Sequence, residues 1–528
     1  MRRASRRTRS AVAGRSRAFW TASCAASCAR WNGSAVNVRS AWPALVVLAA
    51  CTGAPVVAPS LVPVATFAAS DPLAGAQWGV LAVDLASGET VLERNSALRM
   101  IPASTMKIAT TVAALDVLGP DYRWRTDLYT SAAIDSTAAT LRGDLVLPGT
   151  GDPSLSRRWW KDDPGPLEML AAALPDNGVT HVTGALVIDA SRWDSTTVQG
   201  SWMVDDLPFD FSATGGAFGL EEGTTLIEVR GGAEPGAPVS IKWWPYGEEG
   251  FVRSWLITGV SDVVNVTASY LPESRVLEFT GAVPVGRIDT LVVATRDPVR
   301  QSAAALYRAL RDRGVAIDGG WRIEWDPGVS YGQSCVTGSV PPCPFGRLLR
   351  GLGSPPLLEV IAGVLEPSQN WIAEQMIRTL GDPVTGHSSW SEGTAAAARD
   401  FQDVVGLDPL DFRVVDGSGL SVQNLLTPRA LVQLLRHAHS RPWGAAFRSA
   451  LPSPGEVGST LAGRLPDLSG RLFAKTGSLT NVGTFAGYLI DARDREIAFA
   501  VMVNGSNLPA VTVRDGIDAV VRLLAAGR

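Results

Sequence analysis

Texture changes along the chain, and those changes limit what it can fold into. Residues 78–95, WGVLAVDLASGETVLERN, hold two apolar runs around the turn Ala86-Ser87-Gly88, which predicts a hairpin. Residues 483–504 repeat the device with apolar arms and a charged turn from Asp491 to Arg495, and a helix is expected over 509–526. Helical patterns lie inside these ends. STMKIATTVAALDVLGP, from Ser104, reads as a buried helix stopped by Gly119-Pro120, and helices return over about 346–450. From about 125 to 330 the pattern is short strands and turns, with one helix over 298–314. Strands at both ends thus bracket helices. The expected fold is α+β, one domain whose two halves meet across a large β-rich insertion.

The first 51 residues have another character. Residues 1–40 are rich in Arg and contain no Asp or Glu, and an apolar run, AWPALVVLAAC, follows over 41–51. A basic region before about ten apolar residues reads as a secretory signal, too short to cross a membrane as a helix. Leu48-Ala49-Ala50-Cys51 looks like a lipoprotein box, in which Cys51 would carry the lipid. Simple cleavage further on, near Ala69, is the alternative. The mature protein is therefore expected to be exported, periplasmic or cell-envelope, and held to the membrane only through that anchor. Export to an oxidising compartment makes a disulfide between Cys335 and Cys343 the expected state, as a loop staple, against two free thiols. With a net charge of −4, nothing suggests nucleic acid as a partner.

Within IPASTMKIAT, residues 101–110, Ser104 precedes Lys107 by three positions in apolar surroundings. On a helix, i and i+3 share a face, so the ammonium can reach the hydroxyl. Serine is a poor nucleophile until a base takes its proton. A lysine desolvated by Ile101, Met106 and Ile108 has a lowered pKa and can be that base. The plainer reading is an N-cap serine beside a snorkelling lysine. Two further stretches bear on the choice: Ser368-Gln369-Asn370 just before a predicted helix, and Lys475-Thr476-Gly477 at the end of a predicted strand.

S-x-x-K, S-x-N and K-T-G in this order resemble the motifs of the penicillin-recognising serine enzymes. The long interval between Ser104 and Ser368 narrows the resemblance to the low-molecular-mass class C penicillin-binding proteins, the D-alanyl-D-alanine carboxypeptidase/endopeptidases of the DacB type. LPGTGDPSLS, SQNWIAEQMIRTLG, VVDGSGLSVQNLLTP and AKTGSLTNVGTFAGYL are similar to that family too, so the resemblance spans roughly 75–525. Gln369 departs from the Asp or Asn more usual between Ser368 and Asn370.

The resemblance implies an antiparallel sheet flanked by helices, interrupted by one or two extra domains. The implied division is a leader over 1–51, a tether over 52–70, a DD-peptidase domain from 71–126 and 331–528, an inserted domain from 127–205 and 286–330, and another over 206–285. It implies Ser104 as nucleophile and Lys107 as base, Ser368 as proton relay, and Asn370 as the group orienting Lys107 and the substrate amide. Lys475 and Thr476 would meet the substrate carboxylate. Gly477 would let the strand backbone come close, and the Ser104 and Ser478 N–H groups would form the oxyanion hole. Peptidoglycan stem peptides are the implied substrate and β-lactams the implied covalent inhibitors.

Rival readings are a β-lactamase or another penicillin-recognising hydrolase, and a catalytically weak wall-binding scaffold. A scaffold has no need of Lys107. His181, His387, His437 and His439 do not make a metal site, and neither a metal nor another cofactor is expected. DGSGLSVQN, residues 416–424, is expected as a loop near the cleft without direct chemistry, and Asp152 is given none. The tryptophans of RRWWKDD and KWWPYG are expected to be buried or partly buried rather than sugar platforms.

Overall fold

The computed structural model describes residues 75–527 except 163, 246–251, 271–275 and 330–345. Cys51, Cys335 and Cys343, and with them the expected lipid attachment and disulfide, lie outside the described residues.

Both expected hairpins are strands of one sheet. Strand β1 (Gln77–Asp84) is buried along nearly its whole length and pairs antiparallel with β2 (Thr90–Arg94). Their turn is fixed by the Asp84 carboxylate, which accepts from the backbone N–H groups of Ala86 and Ser87 at 2.9 and 3.0 Å. Helix α1 (Met106–Val117) follows, preceded by a 3-10 turn over Ala103–Thr105. It is buried all round from Met106 to Leu115, as its nearly continuous apolar sequence requires. Full burial of side chains such as Ile108 and Val112 stabilises the fold by about 1.5–3 kcal/mol each.

After the insertion come α2 (Asn370–Thr379), α3 (Trp390–Asp403) and α4 (Pro428–Ser440). Two of their caps are side chains of the expected type. Ser389 accepts from Glu392 N and Thr427 from Ala430 N, both at 3.0 Å. The chain ends in β3 (Leu472–Leu479), β4 (Val482–Ile490), β5 (Glu496–Asn504) and α5 (Ala510–Ala525).

The sheet order is β2-β1-β5-β4-β3, antiparallel throughout. Gln77 pairs with Asn504 and Asp84 with Ile497, so the first strand lies against the last. One face packs Ala498, Ala500 and Met502 against α1, α2 and α4; the other packs Phe485, Phe499 and Val501 against Val513, Ile517 and Val521 of α5. This is the antiparallel sheet between helices that was expected.

The insertion contains the expected short strands. A five-stranded sheet runs in the order 321–324, 186–189, 145–148, 125–130, 347–353, with the helix Pro298–Asp312 contributing to its core. Two three-stranded sheets share a separate core that includes Ile227, Val229, Leu256, Phe279 and Val293. Two pairings cut across the expected boundaries. Ile288–Ala294 pairs with Thr224–Arg230, in a three-stranded sheet, although 286–330 was assigned with 127–205. Arg347–Gly353 pairs with Arg125–Thr130, in the inserted sheet, although the peptidase domain was expected to resume at 331. Antiparallel partners distant in sequence leave no local mark. Short helices at Pro166–Ala171 and Ala173–Asp176 also occur where only strands and turns were read.

Candidate active site

The site is built where the 3-10 turn meets the start of α2, the edge strand β3 and the loop 416–421. Lys107 is fully buried, while Ser104 is only half-buried. The Lys107 ammonium donates to Ser104 Oγ at 2.9 Å, to Asn370 Oδ1 at 2.6 Å and to the Ser418 carbonyl at 2.8 Å. Burial lowers its pKa to about 7, against the opposing charges of Glu374 and Asp416. Neither plain alternative describes this pair. Lys107 does not snorkel, and no side-chain cap closes the start of the turn or of α1.

Asn370 opens α2. Its amide nitrogen donates to the Phe211 carbonyl at 2.7 Å, which turns its oxygen toward Lys107. Gln369 caps the same helix by accepting from Trp371 N at 2.8 Å, and its amide nitrogen donates to Glu222. The unusual middle residue of the S-x-N stretch thus has a structural duty. Ser368 sits one residue earlier, half-buried, with φ of 65°. That left-handed conformation costs a non-glycine residue about 1–3 kcal/mol and turns the chain into the helix.

Lys475 to Ser478 lie within β3 and not at its end. Lys475 is fully buried, Thr476 half-buried and Ser478 exposed. The Lys475 ammonium donates to the Thr476 carbonyl at 3.0 Å. Burial and the charge of Lys107 hold its pKa well below the usual lysine value. Gly477 faces the 3-10 turn. A Cβ there would lie 2.8 Å from Ser104 N and 2.9 Å from Pro102 O, and closer still to Thr484 Oγ1. The strand can approach Ser104 this closely only without a side chain.

Several neighbours carry no motif signal. Thr484 of β4 donates to the Pro102 carbonyl at 2.7 Å, and Asn504 of β5 accepts from Ile101 N at 2.7 Å, so the sheet grips the turn that carries Ser104. The loop 416–421 contributes the Ser418 carbonyl to Lys107, and Gly417 O accepts from Thr110 at 2.6 Å. That loop was expected near the cleft; its contact with Lys107 through a main-chain oxygen was not. Asp152 is buried and bonded to Thr126 and Ser154. His437 pairs with Asp116 at 2.7 Å and His181 with Asp318 at 2.9 Å. Among the described residues no group of three His, Cys, Asp or Glu side chains is placed to hold a metal ion. The described tryptophans of the two paired stretches, Trp159, Trp160, Trp243 and Trp244, are half-buried.

Chemically, the arrangement presents an accessible hydroxyl to a buried amine, with backbone N–H groups and a second cation alongside. Known proteins share both sequence and fold with it. The chain is 30% identical over 463 residues to a D-alanyl-D-alanine carboxypeptidase of Actinomadura sp., covering 84% of this chain and 81% of that protein. It is 26% identical over 448 residues to the D-alanyl-D-alanine carboxypeptidase DacB of Haemophilus influenzae, covering 82% and 86%. The crystal structure of penicillin binding protein 4 (dacB) from Haemophilus influenzae superposes with a TM-score of 0.72 at 24% identity, covering 88% of this chain and 98% of that one, and shares its fold. Residues 62–526 match the D-Ala-D-Ala carboxypeptidase 3 (S13) family, and the chain belongs to that family.

Proposed function

We propose that this protein hydrolyses the D-Ala-D-Ala bond of peptidoglycan stem peptides through an acyl-enzyme, with Ser104 as nucleophile and Lys107 as its base. The observation that carries the assignment is the 2.9 Å hydrogen bond from a fully buried Lys107 to the half-exposed Ser104 hydroxyl. An amine titrating at about 7 is neutral for much of the time at neutral pH, and its lone pair can take the serine proton. Ser104 Oγ then attacks the carbonyl carbon between the two D-alanines. The negative oxygen so formed is received by the N–H groups of Ser104 and Ser478.

Ser368 passes a proton to the leaving amine, and the terminal D-alanine departs. Asn370 orients Lys107 and the substrate amide. Lys475 and Thr476 receive the terminal carboxylate, which gives the Lys475 ammonium an anion that it does not have among the described residues. Water then cleaves the acyl-enzyme and returns the proton to the site. The same steps open a D-alanyl cross-link, so endopeptidase action uses the same residues. A β-lactam acylates Ser104 in the same way, and a slow final step makes it an inhibitor. Export through the basic and apolar leader, with Cys51 as lipid attachment point, would bring the enzyme to this substrate; Cys51→Ala should then move it from the membrane to the soluble fraction.

Digestion of purified muropeptides, with products identified by mass, tests the reading. Loss of one D-alanine from pentapeptides is the expected result, and conversion of cross-linked dimers to monomers marks endopeptidase action. Ser104→Ala should lose both products and covalent penicillin labelling. Neither product from the wild-type enzyme at high concentration would refute the assignment.

A further inference from the structure

Beneath Lys107 lie two carboxylates that the steps above do not use. Glu374, on the second turn of α2, and Asp416, at the start of the loop 416–421, are both fully buried. Glu374 accepts from three donors: Trp390 Nε1 at 2.7 Å, Gly417 N at 3.0 Å and Ser418 N at 2.7 Å. Asp416 accepts from Gly419 N at 2.8 Å, Ser421 N at 2.6 Å, Asn424 Nδ2 at 2.7 Å and Trp202 Nε1 at 2.9 Å. The peptides on either side of Ser418 are thus tied at both ends. The Gly417–Ser418 peptide donates its N–H to Glu374 and offers its oxygen to Thr110. The Ser418–Gly419 peptide donates its N–H to Asp416 and offers its oxygen to Lys107.

We propose that Glu374 is a positioning residue for the reaction: it fixes the loop whose Ser418 carbonyl orients Lys107, and it supplies buried negative charge felt by that base. The proposal rests on Lys107 being the base for Ser104. Three donors converge on Glu374, so a carboxylate satisfies them where an amide would set its own N–H against one of them. Burial and the charge of Asp416 raise its pKa, while its three donors favour the charged carboxylate. The charged groups acting on Lys107 are Glu374 from α2, Asp416 from the loop and Lys475 from β3. The two acids favour the ammonium and Lys475 opposes it. Removing Glu374 removes one favouring charge, so Lys107 should become neutral at a lower pH.

The test is the rate of covalent labelling by a fluorescent penicillin between pH 5 and 9, in the wild type and in Glu374→Gln. The variant should label about tenfold more slowly at its plateau, with the acid limb of the profile moved about one unit toward lower pH. Trp390→Phe is the second variant, because it removes one donor to Glu374 and keeps an aromatic ring in its place. With one bond fewer, the carboxylate holds its proton to higher pH, and the limb should move the same way by less. If Glu374→Gln fails to fold, Trp390→Phe alone decides. An acid limb that stays in place, whatever the plateau, would overturn the proposal, because a merely structural residue lowers the plateau without moving the limb. A shift toward higher pH would overturn it as well. A wild type that labels at Ser104 with no acid limb would overturn the base assignment, and the proposal with it.

Discussion

Two lysines that have no carboxylate partner among the described residues share the floor of the site, and most of its behaviour follows from their burial. Lys107 has three neutral oxygen acceptors, two of them held by other elements, and burial lowers its pKa to about 7. Its neutral form is the reactive one, so the labelling rate should fall by about tenfold per pH unit below that pH. A rate independent of pH from 5 to 8 would exclude Lys107 as the base. Lys475 has one carbonyl acceptor and the field of Lys107, and its pKa lies well below the usual value. Its ammonium is therefore lost at a lower pH than an exposed lysine's unless an anion arrives. Loss of a charge-assisted hydrogen bond costs about 1.5–3 kcal/mol, so Lys475→Ala should slow cleavage of a free C-terminal D-alanine roughly tenfold to more than a hundredfold. An amidated analogue should lose much less. Equal losses on acid and amide would remove the carboxylate role from Lys475.

At the scale of elements, the geometry around Ser104 is a contact between a 3-10 turn and an edge strand. Gly477 sets their separation. Two of the three atoms that a methyl group there would meet, Ser104 N and Pro102 O, are backbone and cannot rotate away. Gly477→Ala should therefore push β3 off the turn and misplace both Ser104 and Ser478. Overpacking of this kind costs about 1–3 kcal/mol of stability, and a displacement of about 1 Å can cost a hundredfold in rate. The expected result is a folded protein with a modestly lower melting temperature and strongly reduced penicillin labelling. Unchanged labelling would show that β3 does not set the position of Ser104.

The helix bearing Lys107, the two hairpins and the three motifs were legible because their signals are local: a three-residue spacing, apolar runs, a turn composition. The Ser418 carbonyl was not, because a main-chain oxygen leaves no trace in residue identity. Asn424 belongs to the stretch expected as a loop without direct chemistry. In the structure it braces Asp416 and its own loop. Thr484 and Asn504 were missed for a related reason. They reach the turn bearing Ser104 from β4 and β5 of the sheet, a contact that no local pattern announces.

Across the whole molecule, the peptidase domain is closed by β1 lying against β5, and the insertion leaves and rejoins it on paired strands, Arg125–Thr130 and Arg347–Gly353. The insertion also reaches back to the site. Phe211 supplies the carbonyl that orients Asn370. Gln199 donates to the Val415 carbonyl at 3.1 Å, Ser201 bonds to Ser421 at 2.6 Å, and Trp202 donates to Asp416. One short inserted segment thus braces the loop whose carbonyl faces Lys107. Trp202→Phe tests this link, since it keeps an aromatic ring, smaller than the indole, in a buried position and deletes the donor. Asp416 would keep three of its four donors and lose one hydrogen bond to a charged group, at a cost of about 1.5–3 kcal/mol. Part of that loss should appear at Lys107, as slower penicillin labelling. Trp255→Ala is the matching control, because Trp255 is 62% exposed on the strand Val252–Gly259 of a smaller inserted sheet. Its labelling rate should match the wild type. If Trp202→Phe is destabilised but labels at the wild-type rate, the inserted segment is only a structural clamp, and the base is positioned from within the peptidase domain.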